Sequence, residues 1–136
     1  MAKILRIFWI ELVKMIIGIG TDIAEVKRIE KACTKEAFLM RYFTLKEREY
    51  IGSHPQRAAG NFAVKEAVSK AMGTGFRGFS MEEIEVLRDA LGKPYVNLSG
   101  RAKMKAESLH IQKWHVSISN TAQLALAYVI GEGSSI

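Results

Sequence analysis

Between Pro55 and Gly73 the chain carries one uninterrupted helical stretch, about Gln56 to Met72, and in a polypeptide of 136 residues an element of that length constrains everything else. A proline suits the first helical turn because the N–H it lacks would have no partner there. A glycine just past the last turn takes the left-handed conformation that stops a helix. The other segments are short strands, turns and helices, and the hydrophobic share of 49% is enough to give them a common core. The expected architecture is one α+β domain over residues 15–136, with helices packed on a largely antiparallel sheet.

Ile16-Ile17-Gly18-Ile19-Gly20 reads as a strand ending at Thr21-Asp22, and its glycines imply that something approaches its backbone closely. From Ala24 the period becomes helical, with Val26, Ile29 and Cys33 as an apolar stripe. Lys27, Lys31 and Lys35 recur every four residues beside Arg28 and form a basic one. Phe38, Leu39, Tyr42 and Phe43 continue an apolar helical surface, and Thr44-Leu45-Lys46-Glu47 has the form of a capping box. After the glycine-rich segment 73–78, Ile84–Arg88 and Tyr95–Leu98 read as strands joined by the turn Leu91-Gly92-Lys93-Pro94. Ser99 is expected to cap a helix from Gly100 to Ser108. Strands Trp114–Ser119 and Gln123–Ile130 should follow, and Gly131–Ile136 should fray.

Residues 1–77 hold 14 Lys/Arg against 8 Asp/Glu and account for the whole net charge of +6, the remainder balancing at 6 of each. A basic half implies an acidic partner, whether nucleic acid, membrane or an acidic protein. No helix-turn-helix, zinc-finger or RNA-binding aromatic signature accompanies it, which leaves a basic nucleic-acid-binding module as the alternative reading. The single cysteine, Cys33, excludes an internal disulfide and a multi-cysteine zinc site, and fits a reducing cytoplasm. With no histidine or second cysteine nearby, it reads as a small apolar helix residue rather than a nucleophile. Residues 1–14 are too short, and too broken by Glu11, to span a bilayer; they read as an extension ahead of a domain that begins at Met15.

Phe62, Glu66 and Lys70 stack on one face of the long helix, with Lys65 and Ser69 on the adjoining strip. On spacing alone Glu66 and Lys70 are an ordinary surface ion pair. Asp22, an acid directly after a glycine-interrupted strand, supplies a second carboxylate from a separate element. Such a pair suits Mg²⁺, which takes one or two protein carboxylates and leaves its other positions to water and substrate phosphates. Mn²⁺ accepts the same oxygen ligands. Lys65 or Lys70 would then neutralise phosphate charge. Gly73-Thr74-Gly75-Phe76-Arg77-Gly78 matches G-x-G-x-x-G but follows a helix and precedes a strand, the reverse of the dinucleotide-binding order. A phosphate-lining turn or a plain helix stop remains. His115, Ser117 and Ser119 alternate with Val116 and Ile118, so the polar row faces either solvent or a polyanion.

Taken in order, Gly18-Ile19-Gly20-Thr21-Asp22-Ile23, Phe62-Ala63-Val64-Lys65-Glu66-Ala67 with Lys70-Ala71, Gly73-Thr74-Gly75, Gly92-Lys93-Pro94 and His115-Val116-Ser117-Ile118-Ser119 resemble the holo-acyl-carrier-protein synthases. These are small bacterial-type phosphopantetheinyl transferases, and the resemblance runs from Met15 to Ile130. It implies a 4'-phosphopantetheinyl transferase-like fold and transfer of the phosphopantetheine arm of coenzyme A to a serine of apo-acyl carrier protein, with release of 3',5'-ADP. It implies Asp22 and Glu66 as Mg²⁺ ligands, Glu66 and Lys70 as catalytic residues, and Lys70, Gly73, Lys93, Pro94, His115 and Ser117 along coenzyme A. It further implies a cytoplasmic homotrimer with sites between subunits, acting in fatty acid biosynthesis without nucleic acid or membrane. The acyl carrier protein would dock an acidic helix on Lys27, Arg28, Lys31 and Lys35. The base stays open between Glu66 and a water. Many relatives end the last motif in histidine where this chain has Asn120, and an amide cannot titrate near neutrality.

Overall fold

In the computed structural model, which describes residues 13–75 and 77–134, strand β1 (Met15–Glu25) leads into four helices: α1 (Val26–Cys33), α2 (Glu36–Tyr42), α3 (Leu45–Ile51) and α4 (Pro55–Ala71). A single 3-10 turn, Met81–Glu83, then introduces β2 (Ile84–Arg88), β3 (Pro94–Leu98), α5 (Gly100–Ser108), β4 (Ile111–Asn120) and β5 (Leu124–Gly133). The strands make a three-stranded antiparallel sheet in the order β1-β5-β4 and a separate β2-β3 hairpin. This is the expected α+β architecture. Most of the expected N-terminal extension, residues 1–12, lies outside the described residues, as do 135 and 136.

Helix α4 is the axis of the domain. Ala58, Ala59, Ala63, Val64, Ala67 and Val68 are fully buried along it, and its small side chains let it lie flat against the sheet. The glycines of β1 complete that contact. A Cβ on Gly18 would strike the carbonyl oxygen of Ala71, and one on Gly20 the carbonyl oxygen of Ala67. The close approach implied by the glycine-interrupted strand is therefore the backbone of α4 itself. Val26 and Ile29 of α1, Phe43, Ile51 of α3, and the inner residues Ala125, Ala127 and Val129 of β5 close the core around it.

Capping followed the sequence at one helix and departed from it at another. Thr44 starts α3 with both halves of the capping box formed, its hydroxyl accepting from Glu47 N and Glu47 accepting from Thr44 N. Ser99 makes no side-chain cap; a carboxylate oxygen of Glu83, from the 3-10 turn, accepts the Ala102 N–H at 3.1 Å instead. Local spacing could not expose a cap that comes from a distant element.

Two strands outrun the expectation for a common reason. β1 continues past Asp22 to Glu25, and α1 starts at Val26 rather than Ala24, because Thr21–Glu25 pair with Leu124–Tyr128 of β5. The expected fraying at Gly131 does not occur: Gly131 and Gly133 are paired on both sides, to β1 and to β4, and Ser134 is buried. A central strand satisfies its backbone groups twice over, which outweighs the weak strand preference of glycine.

Candidate functional site

The contact of α4 with β1 sets the site. Asp22 follows Gly20 on the face of β1 that meets the helix, and Glu66 and Lys70 project from α4 toward it. Lys70 Nζ donates to Asp22 Oδ1 at 3.3 Å and to the Thr21 carbonyl at 2.9 Å. Burial pushes the Glu66 carboxyl above its ordinary range, and the neighbouring Asp22 charge adds to the shift, while Lys70 and Arg28 pull it back. Two carboxylates from two rigid elements, one of them opposed in its ionisation by the other, fit a small divalent cation. No group of three or more His, Cys, Asp and Glu forms among the described residues. A pair is the protein contribution that Mg²⁺ ordinarily takes.

Lys65 does not belong to this cluster. It is fully buried on the other side of α4, where its ammonium donates to Glu47 Oε1 at 2.7 Å, to the Met81 carbonyl at 3.0 Å and to the Ile84 carbonyl. All three N–H donors are thereby used. Asn61 Nδ2 donates to the second oxygen of Glu47 at 3.1 Å and to the Val86 carbonyl at 3.1 Å. Burial pushes Glu47 up and Lys65 down, and each restrains the other through its opposite charge. The expectation that Lys65 neutralises phosphate is therefore corrected: its charge is spent on bracing α4 to α3 and β2. Lys70, further along the helix, is exposed and holds its ammonium against Asp22 and the Thr21 carbonyl.

The remaining predicted residues gather elsewhere. Lys93, Pro94 and His115 line a cavity of about 380 Å³ together with Tyr95 and Trp114. Ser117 and Ser119 are exposed on the same face of β4 as His115, and half-buried Val116 and Ile118 occupy the other. Ser117 pairs through Tyr128 to Thr21, the residue before Asp22, so this polar row and Asp22 stand on opposite faces of the sheet. Within one chain the two groups of predicted residues are not brought together. His115 Nε2 lies 3.6 Å from Glu132 Oε1. Gly73, at φ 77°, ends α4 beyond Lys70, and Gly75 and Gly78 also hold positive φ, as a turn of this kind demands.

Lys27, Arg28, Lys31 and Lys35 are all exposed, on α1 and at the start of α2. Arg28 is near enough to act on Glu66, so the basic face runs to the edge of the acidic pair. Cys33 is half-buried against the core, and burial pushes its thiol up, as befits an inert residue. Asn120 closes β4 and borders a second cavity, lined also by Arg57 and Arg88, which sequence reading did not single out. Nothing in their spacing marks them, since they come from different elements.

Comparison with known proteins finds relatives across most of the chain. A family model of the 4'-phosphopantetheinyl transferase superfamily matches residues 18–129. The holo-[acyl-carrier-protein] synthase of Lachnoclostridium phytofermentans is 54% identical over 118 residues, covering 87% of this chain and 97% of the relative. The structure of a Plasmodium yoelii acyl carrier protein synthase with ADP bound superposes with a TM-score of 0.81 at 34% identity, covering 90% of this chain and 99% of that one. A holo-(acyl-carrier-protein) synthase from Bacillus anthracis, in complex with CoA (3',5'-ADP), gives a TM-score of 0.73 at 38% identity, covering 88% and 99%. The chain belongs to the 4'-phosphopantetheinyl transferase superfamily, among its holo-[acyl-carrier-protein] synthases.

Proposed function

We infer that the chain transfers the 4'-phosphopantetheine arm of coenzyme A to a serine of apo-acyl carrier protein, giving holo-acyl carrier protein and 3',5'-ADP. The observation that carries the reading is the meeting of Asp22, Glu66 and Lys70 at one point of a fold whose relatives have been solved with ADP and coenzyme A.

In this reading Asp22 and Glu66 hold Mg²⁺ or Mn²⁺, which when bound supplies positive charge to the pyrophosphate. The raised Glu66 carboxyl beside the Asp22 charge supports that assignment. Lys70 sits where a pyrophosphate oxygen would replace its present acceptors, and its ammonium offsets the charge that builds on the leaving oxygen. The serine hydroxyl forms a new O–P bond at the β-phosphorus, the bridging P–O bond breaks, and 3',5'-ADP departs with that bonding pair. The raised Glu66 carboxyl is suited to accept the serine proton. In the same reading Gly73, at the end of the helix, borders the path of the diphosphate, and Lys93, Pro94 and His115, which share a cavity, take the nucleotide end together with Ser117 on the same face of β4 as His115.

Because His115 and Ser117 face away from Asp22, one ligand touches both sets when a second copy covers the outer face of the sheet. That face supports an assembly: Ile19, Ile23, Leu124, Leu126 and Tyr128 stand exposed on it, Ile23 at 62%. We propose a homotrimer with each site shared between subunits. The basic residues Lys27, Arg28, Lys31 and Lys35 would receive an acidic helix of the carrier, leading its serine past Arg28 to Glu66. A cytoplasmic setting follows from the lone reduced cysteine and from the carrier it serves. Among the described residues no helix is long and apolar enough to cross a membrane.

The test is the intact mass of apo-acyl carrier protein incubated with this chain, coenzyme A and Mg²⁺. A gain of one phosphopantetheine arm, abolished by EDTA, is expected. Failure with several carriers overturns the reading.

A further inference from the structure

Helix α4 meets its neighbours mostly through small groups. Ala58, Ala59, Ala63 and Ala67 are fully buried along it, and its contact with β1 sets glycine against carbonyl oxygen, Gly18 on Ala71 and Gly20 on Ala67. Surfaces of this kind allow close approach but interdigitate little. They fix the distance of the helix from the sheet better than its rotation about its own axis. Rotation matters at this helix. A side-chain tip stands about 5–6 Å from a helix axis, so a turn of ~10° displaces the Glu66 carboxylate by about 1 Å relative to Asp22.

What fixes the angle is polar, and it lies on the side of α4 turned away from β1. Lys65 precedes Ala67 by two residues, about 200° of helix. Its ammonium donates to three separate elements: to Glu47 Oε1 of α3 at 2.7 Å, to the Met81 carbonyl of the 3-10 turn at 3.0 Å and to the Ile84 carbonyl of β2. Asn61, four residues earlier on the same strip, donates through Nδ2 to Glu47 Oε2 and to the Val86 carbonyl, both at 3.1 Å. Glu47 is itself held, because it accepts the Thr44 N–H in the capping box. Hydrogen bonds are directional, and two anchor residues at i and i+4 pin the helix at two points along its length. The arrangement costs stability. Asn61 Oδ1 accepts nothing among the described residues, and a desolvated ion pair contributes little beyond apolar residues of the same volume. A costly network inside an otherwise apolar core suits a task that apolar packing performs poorly.

We propose that Lys65, Asn61 and Glu47 are positioning residues for the reaction: they lock the rotation of α4 so that Glu66, the residue after Lys65, presents its carboxylate to Asp22 at the spacing a divalent cation requires. At zero exposure none of the three can touch substrate, so they act through Glu66. The turnover half of the proposal rests on the function inferred above; the metal half rests on the Asp22 and Glu66 geometry alone.

The test is the double variant Glu47→Met/Lys65→Met, which removes both charges and nearly conserves volume. Three quantities are read: the urea unfolding midpoint, Mn²⁺ affinity by electron paramagnetic resonance without coenzyme A, and kcat and KM for apo-acyl carrier protein by carrier mass. The double variant should recover most of the stability that Lys65→Met loses. Its Mn²⁺ affinity should still be about tenfold weaker than wild type, and its kcat about 10²-fold lower. KM for the carrier, which docks on α1, should stay within about threefold of wild type. A stable double variant with wild-type Mn²⁺ affinity and wild-type kcat overturns the proposal, because a purely structural pair would be fully replaced by the two methionines. If the double variant does not fold, Asn61→Ala, which leaves the ion pair in place, gives the same readouts. Partial losses in Mn²⁺ affinity and kcat then support the proposal, and wild-type values of both overturn it. A wild-type chain that binds Mn²⁺ but transfers nothing, with the variants still losing the metal, would refute the inferred function and leave the positioning role standing.

Discussion

Lys65 and Glu66 follow one another on α4, and about 100° of helix separates their side chains. That rotation gives one a buried partner in Glu47 and the other a half-buried place beside Asp22. Glu66→Gln should therefore leave the melting temperature near wild type while abolishing transfer, read as carrier mass. Near wild-type turnover would remove Glu66 from the metal pair. Lys70→Ala should lower kcat/KM roughly 10²–10³-fold, the usual cost of losing one charge-stabilising donor. Lys65→Met should act on stability as well. It strands Glu47 at zero exposure and should cost about 3–5 kcal/mol in urea unfolding. A double variant with Glu47→Met should regain much of that loss, because a buried pair contributes less than its breakage costs. Cys33, its thiol pushed up by burial, should react with iodoacetamide at pH 8 more slowly than free cysteine.

Among the elements, α4 and β1 depend on each other most directly. Gly20→Ala places a methyl against the Ala67 carbonyl, and neither backbone can yield without shifting the helix. The expected cost is about 2 kcal/mol or more by urea unfolding, with lost transfer even in the folded fraction, since Asp22 moves relative to Glu66. This contact was half legible in the sequence. The glycines announced a close approach and the motif order named Asp22 and Glu66, yet nothing in one dimension identified what approaches Gly20. The capping box at Thr44 and the Pro55 and Gly73 boundaries were readable because each is a local hydrogen-bond problem. Glu83 capping α5, Lys65 entering the core and the pairing of Gly131 and Gly133 depend on partners distant in sequence. So does the Arg57 and Arg88 cavity. Local spacing carries no trace of any of them.

For the whole molecule, the proposed homotrimer makes the outer face of the three-stranded sheet decide whether the site is complete. Ile19→Glu or Tyr128→Glu should reduce the assembly to monomers in light scattering, with transfer lost and each monomer still folded, since both side chains already face outward. A trimeric, active Tyr128→Glu protein would refute the shared-site reading. The sheet order carries a further consequence. Among the described residues, strand β1 has a single neighbour, β5, drawn from residues 124–133. During synthesis from the N-terminus, Asp22 leaves the ribosome more than a hundred residues ahead of β5, the strand it pairs with. The nascent chain can form α4 and bring it against Gly18 and Gly20, yet the two carboxylates stay unanchored until the middle strand slides between the outer ones. Bringing Asp22 beside Glu66 therefore waits on the translation of β5, and a chain stalled before that strand would have little means of holding the two carboxylates together.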